Sequence, residues 1–332
     1  MRTAFLVGSL VSCLPVAAGE PADCDSVNAA RAALRILKTA TDNYPQHRDC
    51  FSCHHQTLPL FAAVESHKAG LFASLDEWRT TAEFTVTSFD HRRETLAKGQ
   101  HIGGRASTVS YGLLTSHLDR RPADDTTAAM VEYLLQQQRD DGSWKSPSVR
   151  PPLEKSLVTC TVLSAAGIQG YATPAQSARC DAAIIKARQW LQSAALEEHE
   201  DVVFALWGET LLGTSDPVRC AALVQRLQSE QREDGGWSQL PERNADAYAT
   251  GQAVWCLLES SSPVSAEVIE RGVVWLRQHQ EPDGSWHVKT RSKPIQEWFD
   301  NGDPHGEDQF ISIAATSWAT AALARYHRTF RR

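Results

Sequence analysis

Methionine is almost missing: the 332 residues hold Met1, Met130 and no other. That leaves Met130 as the one thioether available to ligate a metal in the finished chain. It stands among Ala128, Ala129 and Val131 in an apolar helical run and is expected in the core. Clustered Lys/Arg and base-stacking motifs are also lacking. With a net charge of −7, nucleic acid is not an expected partner. No stretch alternates apolar and polar residues for long enough to make a convincing strand. Beyond residue 18 no apolar run approaches the ~20 residues that span a bilayer.

What is there begins with a leader. Met1-Arg2 precedes an apolar run to Ala18, closed by Gly19-Glu20-Pro21. One positive charge, a short apolar core and a small-residue exit at Val16-Ala17-Ala18 read as a signal peptide over residues 1–18. Export to the bacterial periplasm is therefore expected. Leu10-Val11-Ser12-Cys13 also has the form of a lipoprotein box, which would anchor the chain by a lipid at Cys13 instead.

Eight cysteines are present, and two of them form the most informative motif. Cys50-Phe51-Ser52-Cys53-His54 is a Cys-x-x-Cys-His box, followed at once by His55. Two thiols at this spacing can form thioethers to the vinyl groups of one haem, and the histidine after the second thiol becomes an axial iron ligand. Two other readings stay open here. Zinc could be held by Cys50, Cys53 and a histidine, or Cys50 and Cys53 could form a disulfide. Cys24, Cys160, Cys180, Cys220 and Cys256 remain, an odd number for an oxidising compartment. Cys180 and Cys220 open neighbouring helices at equivalent points and form a possible bridge. Cys160 and Cys256 sit within apolar runs as packing residues.

Three segments repeat: Gln138-Arg139-Asp140-Asp141-Gly142-Ser143-Trp144, Gln231-Arg232-Glu233-Asp234-Gly235-Gly236-Trp237 and Gln280-Glu281-Pro282-Asp283-Gly284-Ser285-Trp286. Each follows an apolar-periodic helix. The first interval is about twice the second, and Ala187-Arg188-Gln189-Trp190-Leu191-Gln192 is a degenerate copy between them. A period in the high forties means stacked helical units. Gly provides the left-handed stop, Asp bonds freed amides, Trp covers the seam between hairpins, and Gln stacks on the indole or bonds backbone. Inner helices are predicted near 57–69, 106–118, 153–167, 200–212, 245–259 and 309–326. Outer partners are predicted near 26–40, 75–90, 124–138, 180–193, 217–231 and 265–279. The expected fold is all-α, one (α/α)6 barrel over residues 19–332, with a central cavity.

The Gln-x-x-Asp-Gly-x-Trp segments resemble the QW repeats of squalene–hopene cyclases and related α/α-toroid proteins, protein prenyltransferases included. The resemblance implies the same toroid and, in the cyclases, an Asp-x-Asp-Asp acid that protonates an isoprenoid. The nearest match, Pro122-Ala123-Asp124-Asp125, lacks the first Asp and opens an outer helix where Asp is a good cap. Class II cyclase activity is therefore not expected. The pairing of the Cys-x-x-Cys-His box with this toroid is similar to exported squalene-cyclase-like bacterial proteins.

If haem is bound, His54 is the axial ligand. His101 is a candidate for the sixth position, because it precedes the second inner helix where His54 precedes the first. His55, Glu154, His199, Glu200, Asp201, Asp246, Glu307 and Asp308 fall near inner-helix starts and are candidates for the same cavity mouth, against the alternative of plain helix caps. The functional expectation is electron transfer or oxidation of a small or lipid-like substrate, with a periplasmic redox partner. The alternatives are a haem-free toroid binding an isoprenoid or a protein, and a zinc-dependent cavity enzyme.

Overall fold

The computed structural model describes residues 22–146, 150–214, 216–293 and 297–330. The leader and Cys13 lie outside the described residues. Helices alternate between an outer and an inner ring, and no strand occurs among the described residues. The first pair is α1 (Ala22–Asn43) and α2 (Leu58–Lys68). Next come α3 (Arg79–Asp90), a short α4 (Arg93–Ala97) and α5 (Arg105–Leu118). The remaining outer–inner pairs are α6 (Asp125–Gln137) with α7 (Leu157–Tyr171), α8 (Ser177–Ser193) with α9 (His199–Leu211), α10 (Pro217–Ser229) with α11 (Ala247–Glu259), and α12 (Ala266–Gln278) with α13 (Gln309–Phe330). Each inner helix packs on the next, α13 returns to α2, and α12 meets α1, so both rings close.

Composition separates the two rings. Residues 311–324 of α13 are buried without a break, as an all-round apolar helix must be. Outer α12 buries only a stripe that includes Ile269, Gly272, Val273 and Leu276. α11 and α13 approach closely at Gly251, where a Cβ would lie 2.6 Å from the Ala319 nitrogen.

The three repeated segments are the same structure three times. The glycines at 142, 235 and 284 have φ of 93°, 95° and 102°. The preceding Asp141, Asp234 and Asp283 each accept the amide two residues on, at 2.8–3.0 Å. The indole N–H groups of Trp144, Trp237 and Trp286 donate to the carbonyls of Leu134, Leu227 and Leu276 at 2.7–2.8 Å, which satisfies acceptors freed at the helix end. The glutamines bond backbone: each amide donates to the glycine carbonyl of its own turn and to a carbonyl of the next outer helix. Those second acceptors are Ala183, Val268 and, for Gln280, Ala29 of α1. The segment therefore ends a helix and ties its hairpin to the next.

Asp124 caps α6 through a reciprocal pair with Thr127, both bonds 2.8 Å, as its sequence position implies. The third inner helix starts later than predicted. Ser156, not Glu154, caps it by accepting the Thr159 amide at 3.0 Å, because residues 151–154 are taken up by turns after Pro151-Pro152. At the end of the barrel away from the Cys50–His54 box the axis is filled. Phe61, Phe204, Trp207, Trp255 and Trp318 meet at centroid distances of 5.0–6.4 Å, mostly edge to face.

Candidate functional site

The Cys-x-x-Cys-His box lies at one mouth of the ring, and its backbone is pinned from several sides. Ser52 is extended, and a π-helical turn, Cys53–Thr57, runs into α2, with the Leu58 amide reaching back to the Cys53 carbonyl. Such turns concentrate at functional sites. The Gln56 side chain accepts the Ser52 amide at 2.7 Å, and Ser88 of α3 accepts the Phe51 amide at 2.9 Å. Thr41 of α1 donates to the His55 carbonyl at 3.0 Å. Thr57 donates to the Tyr111 carbonyl of α5 at 3.2 Å.

Cys50 is half-buried, with its sulfur 3.8 Å from the Tyr44 hydroxyl. Cys53 is buried, and that burial pushes its thiol up to about 12. His54 is partly exposed. Burial of its ring, then the neighbouring His55 and Arg150, hold it well below the ordinary imidazole value, so it is a neutral nitrogen donor at neutral pH. His55 is buried, 4.6 Å from the His54 ring and 4.5 Å from the Tyr44 ring. Burial pushes it down to about 3. The Asn301 amide donates to its Nε2 at 2.5 Å, which leaves the His55 proton on Nδ1, facing Ser52 Oγ at 3.3 Å.

Cys50, Cys53 and His54 line one cavity of about 370 Å³, with Phe51, Phe89, Ile102 and Tyr111 as its apolar surface. Arg150 and Glu154 stand at its polar end, where the Arg150 Nε donates to Glu154 at 2.8 Å. The wall at Gly103 is open, since a Cβ there would meet nothing within 4 Å. Two thiols, a neutral imidazole, an apolar surface and a guanidinium fit the haem that the motif implies. Among the described residues no group of three His, Cys, Asp or Glu side chains is disposed to hold one metal ion, a poorer match to four-ligand zinc. Cys50 and Cys53 are not bridged, and neither are Cys180 and Cys220, whose thiols are each buried against the core.

The structure divides the remaining candidates. Glu154 reaches the cavity. His101 does not: it is exposed and outside the lining, while Ile102, Gly103 and Gly104 form the wall. Gly104, with φ of 71°, turns the chain just before α5. Asp201 accepts Ser156 Oγ and the Glu197 and Glu198 amides at 2.6–3.0 Å, tying down the entry to α9. His199 is buried beside it, pushed down by burial to about 4. Asp246 caps α11 through the Ala249 amide at 3.0 Å, and burial raises it to about 6. Asp308 holds the Thr290 amide and His287, at 2.8 and 2.9 Å. These four stabilise the scaffold and lie outside the cavity lining. Met130 is core.

Arg150 and Asn301 were not among the candidates, because both stand in irregular segments with no helical position to read. Glu200 is buried near the axis, accepting from Thr159, Tyr248 and Gln252 at 2.8–3.0 Å, and burial pushes its carboxyl up to about 7.

Comparison with known proteins agrees with this architecture. Residues 202–329 match the family model of the squalene-hopene cyclase C-terminal domain. No curated protein matches the chain. Among solved structures, the type II terpene cyclase MstE from Scytonema is similar at 14% identity and a TM-score of 0.60, over 92% of this chain and 99% of that one. A variant of that cyclase was solved in complex with geranylgeranyl dihydroxybenzoate, its substrate; it has 16% identity and a TM-score of 0.56, over 92% of this chain and 99% of that one. A possible GH105 family member from Salmonella enterica has 14% identity and a TM-score of 0.60, over 98% of this chain and 100% of that one. Such identities carry the fold alone. The protein is an α/α toroid. Within that architecture its second half is similar to the squalene-hopene cyclase C-terminal domain.

Proposed function

We propose that this chain is an exported toroid protein that carries a covalent c-type haem at the mouth of its ring and serves in electron transfer or oxidation of a small or lipid-like substrate. The observation that supports this reading is the convergence of Cys50, Cys53 and His54 on one partly apolar cavity. Cys50 and Cys53 would hold the group by thioethers, and His54 would ligate its iron. When bound, the group supplies one-electron redox chemistry. The protein's part is to hold His54 neutral and to keep the surrounding surface apolar through Phe51, Phe89 and Ile102.

The leader supports a periplasmic location, where such attachment takes place. No described helix is long and apolar enough to cross a membrane. The haem-free isoprenoid-binding reading leaves the convergence of Cys50, Cys53 and His54 without a role. The deciding experiment is expression in a host competent for cytochrome c maturation. Expected are a Soret band, a peroxidase-active stain that survives denaturing electrophoresis, and loss of that stain in the Cys50→Ser/Cys53→Ser double variant. A colourless product whose mass equals the bare polypeptide would sink the proposal.

A further inference from the structure

His55 stands next to the candidate iron ligand but is spent inside the fold. Its ring is buried, packed on Tyr44 at 4.5 Å and Phe299 at 6.2 Å. We infer that Asn301 and His55 are positioning residues for the axial ligand: through the Ser52 hydroxyl they set the hydrogen bond on the free nitrogen of His54, and with it the potential of the bound iron. The inference rests on the haem reading for the potential, but not for the hydrogen-bond chain itself.

The direction of the chain is fixed from its far end. Asn301 is fully buried, and its Oδ1 accepts the Asp303 amide at 2.9 Å. Turning the side chain over would set donor against donor at that amide, so Nδ2 is the atom that faces His55 Nε2, at 2.5 Å. The Asn301 carbonyl is held as well, by the Asn43 side-chain amide at 3.2 Å. A donor at Nε2 makes that nitrogen the acceptor of a neutral imidazole, and the proton stands on Nδ1. Burial, which pushes His55 down to about 3, keeps the ring neutral. The Nδ1–H donates to Ser52 Oγ at 3.3 Å.

Ser52 Oγ is where the chain meets the ligand. It lies 3.2 Å from each ring nitrogen of His54, and Gln56 fixes its backbone by accepting the Ser52 amide at 2.7 Å. A neutral imidazole on a metal keeps its proton on the nitrogen that the metal does not take, and the acceptor of that proton makes the ligand more basic. Ser52 Oγ is that acceptor. A hydroxyl has two acceptor lone pairs. One is given to His55 here, which draws electron density from the oxygen and weakens its bond to His54. Asn301 therefore holds the ligand less basic than a Ser52 free of His55 would, and favours the ferrous state.

The test is spectroelectrochemical titration of the haem-loaded, full-length protein. Ser52→Ala removes the acceptor and should shift the ferric/ferrous midpoint upward, by about fivefold in the equilibrium, the worth of one hydrogen bond. Asn301→Ala frees His55 to accept the Ser52 hydroxyl instead and should shift the midpoint downward. In the Ser52→Ala background the Asn301 substitution should have no effect, because the chain is already cut. Loosened packing would move the midpoint equally in both backgrounds, and that result overturns the inference, as does Ser52→Ala without a shift. Nitrogen NMR of the full-length wild type, labelled at histidine, reads the chain without a variant and without haem. His55 should carry its proton on Nδ1, and a proton on Nε2 overturns the inference. A haem-loaded protein with unmoved midpoints removes this inference alone. A haem-free protein with the His55 proton on Nδ1 removes the redox reading and leaves the chain standing.

Discussion

Gln280 is the stitch that closes the ring, and its removal tests how the toroid is held. Its side-chain amide donates to the Gly284 carbonyl at 2.8 Å and to the Ala29 carbonyl of α1 at 2.9 Å, across 251 positions of sequence. Another polar tie at this seam is Arg277 with Asp25 at 2.6 Å, whose carboxylate side is 63% exposed. Pairs of that kind contribute about 0–1 kcal/mol. Gln280→Ala removes two hydrogen bonds, each worth about 1 kcal/mol net, and leaves the part-buried Gly284 carbonyl without its side-chain donor, while the Ala29 carbonyl keeps its place in the α1 ladder. A loss of about 2–3 kcal/mol is expected from the shift in urea midpoint. Gln138→Ala breaks an equivalent pair between neighbouring hairpins, bonded to Gly142 and Ala183. It should cost a similar amount but act in a different place. Hydrogen exchange should accelerate along α1 in the Gln280 variant and not in the Gln138 variant, because only the former loosens the terminal hairpin. A change below about 0.5 kcal/mol, or the same α1 exchange in both variants, refutes the stitching argument.

Two more outcomes follow from the interior. Glu200 has a folded pKa of about 7 against an ordinary 4.5, so its contribution is complete below pH 4.5 and is lost as pH rises through 7. Glu200→Gln should therefore gain on the wild type by up to about 3 kcal/mol between pH 4.5 and 8, and denaturation curves that stay parallel across that range count against it. Trp255→Ala removes ring contacts with Phe61 and Trp207 at 5.0 Å and an N–H bond to buried Glu65 at 3.2 Å. It should cost about 3–5 kcal/mol, part of it regained on adding indole, which would fill the gap; if indole has no effect, the axis is not the filled space described.

The helical hairpins were legible because their boundaries are local chemistry. Gly142, Gly235 and Gly284 stop helices within a few residues of their own Asp and Trp, and Asp124 and Asp246 cap the helices they precede. The thiols and His54 were legible for the same reason, since their spacing is local. What the sequence withheld is set by distant contacts. Asn301 meets His55 across 246 positions, and Ser292 meets the Pro151 carbonyl across 141. No periodicity marks either partner. His101 shows the limit from the other side. Equivalent positions in a repeat share a height along the ring axis but not a radial direction, and one left-handed residue resets the latter. At Gly104 the chain turns, Ile102 goes in and His101 goes out. The same reasoning explains why the acids near inner-helix starts did not converge. Asp201 and Asp246 are consumed by the amides of their own helix entries, as a cap must be. Glu154 reaches the cavity because Ser156 took the capping role and left that carboxylate to Arg150.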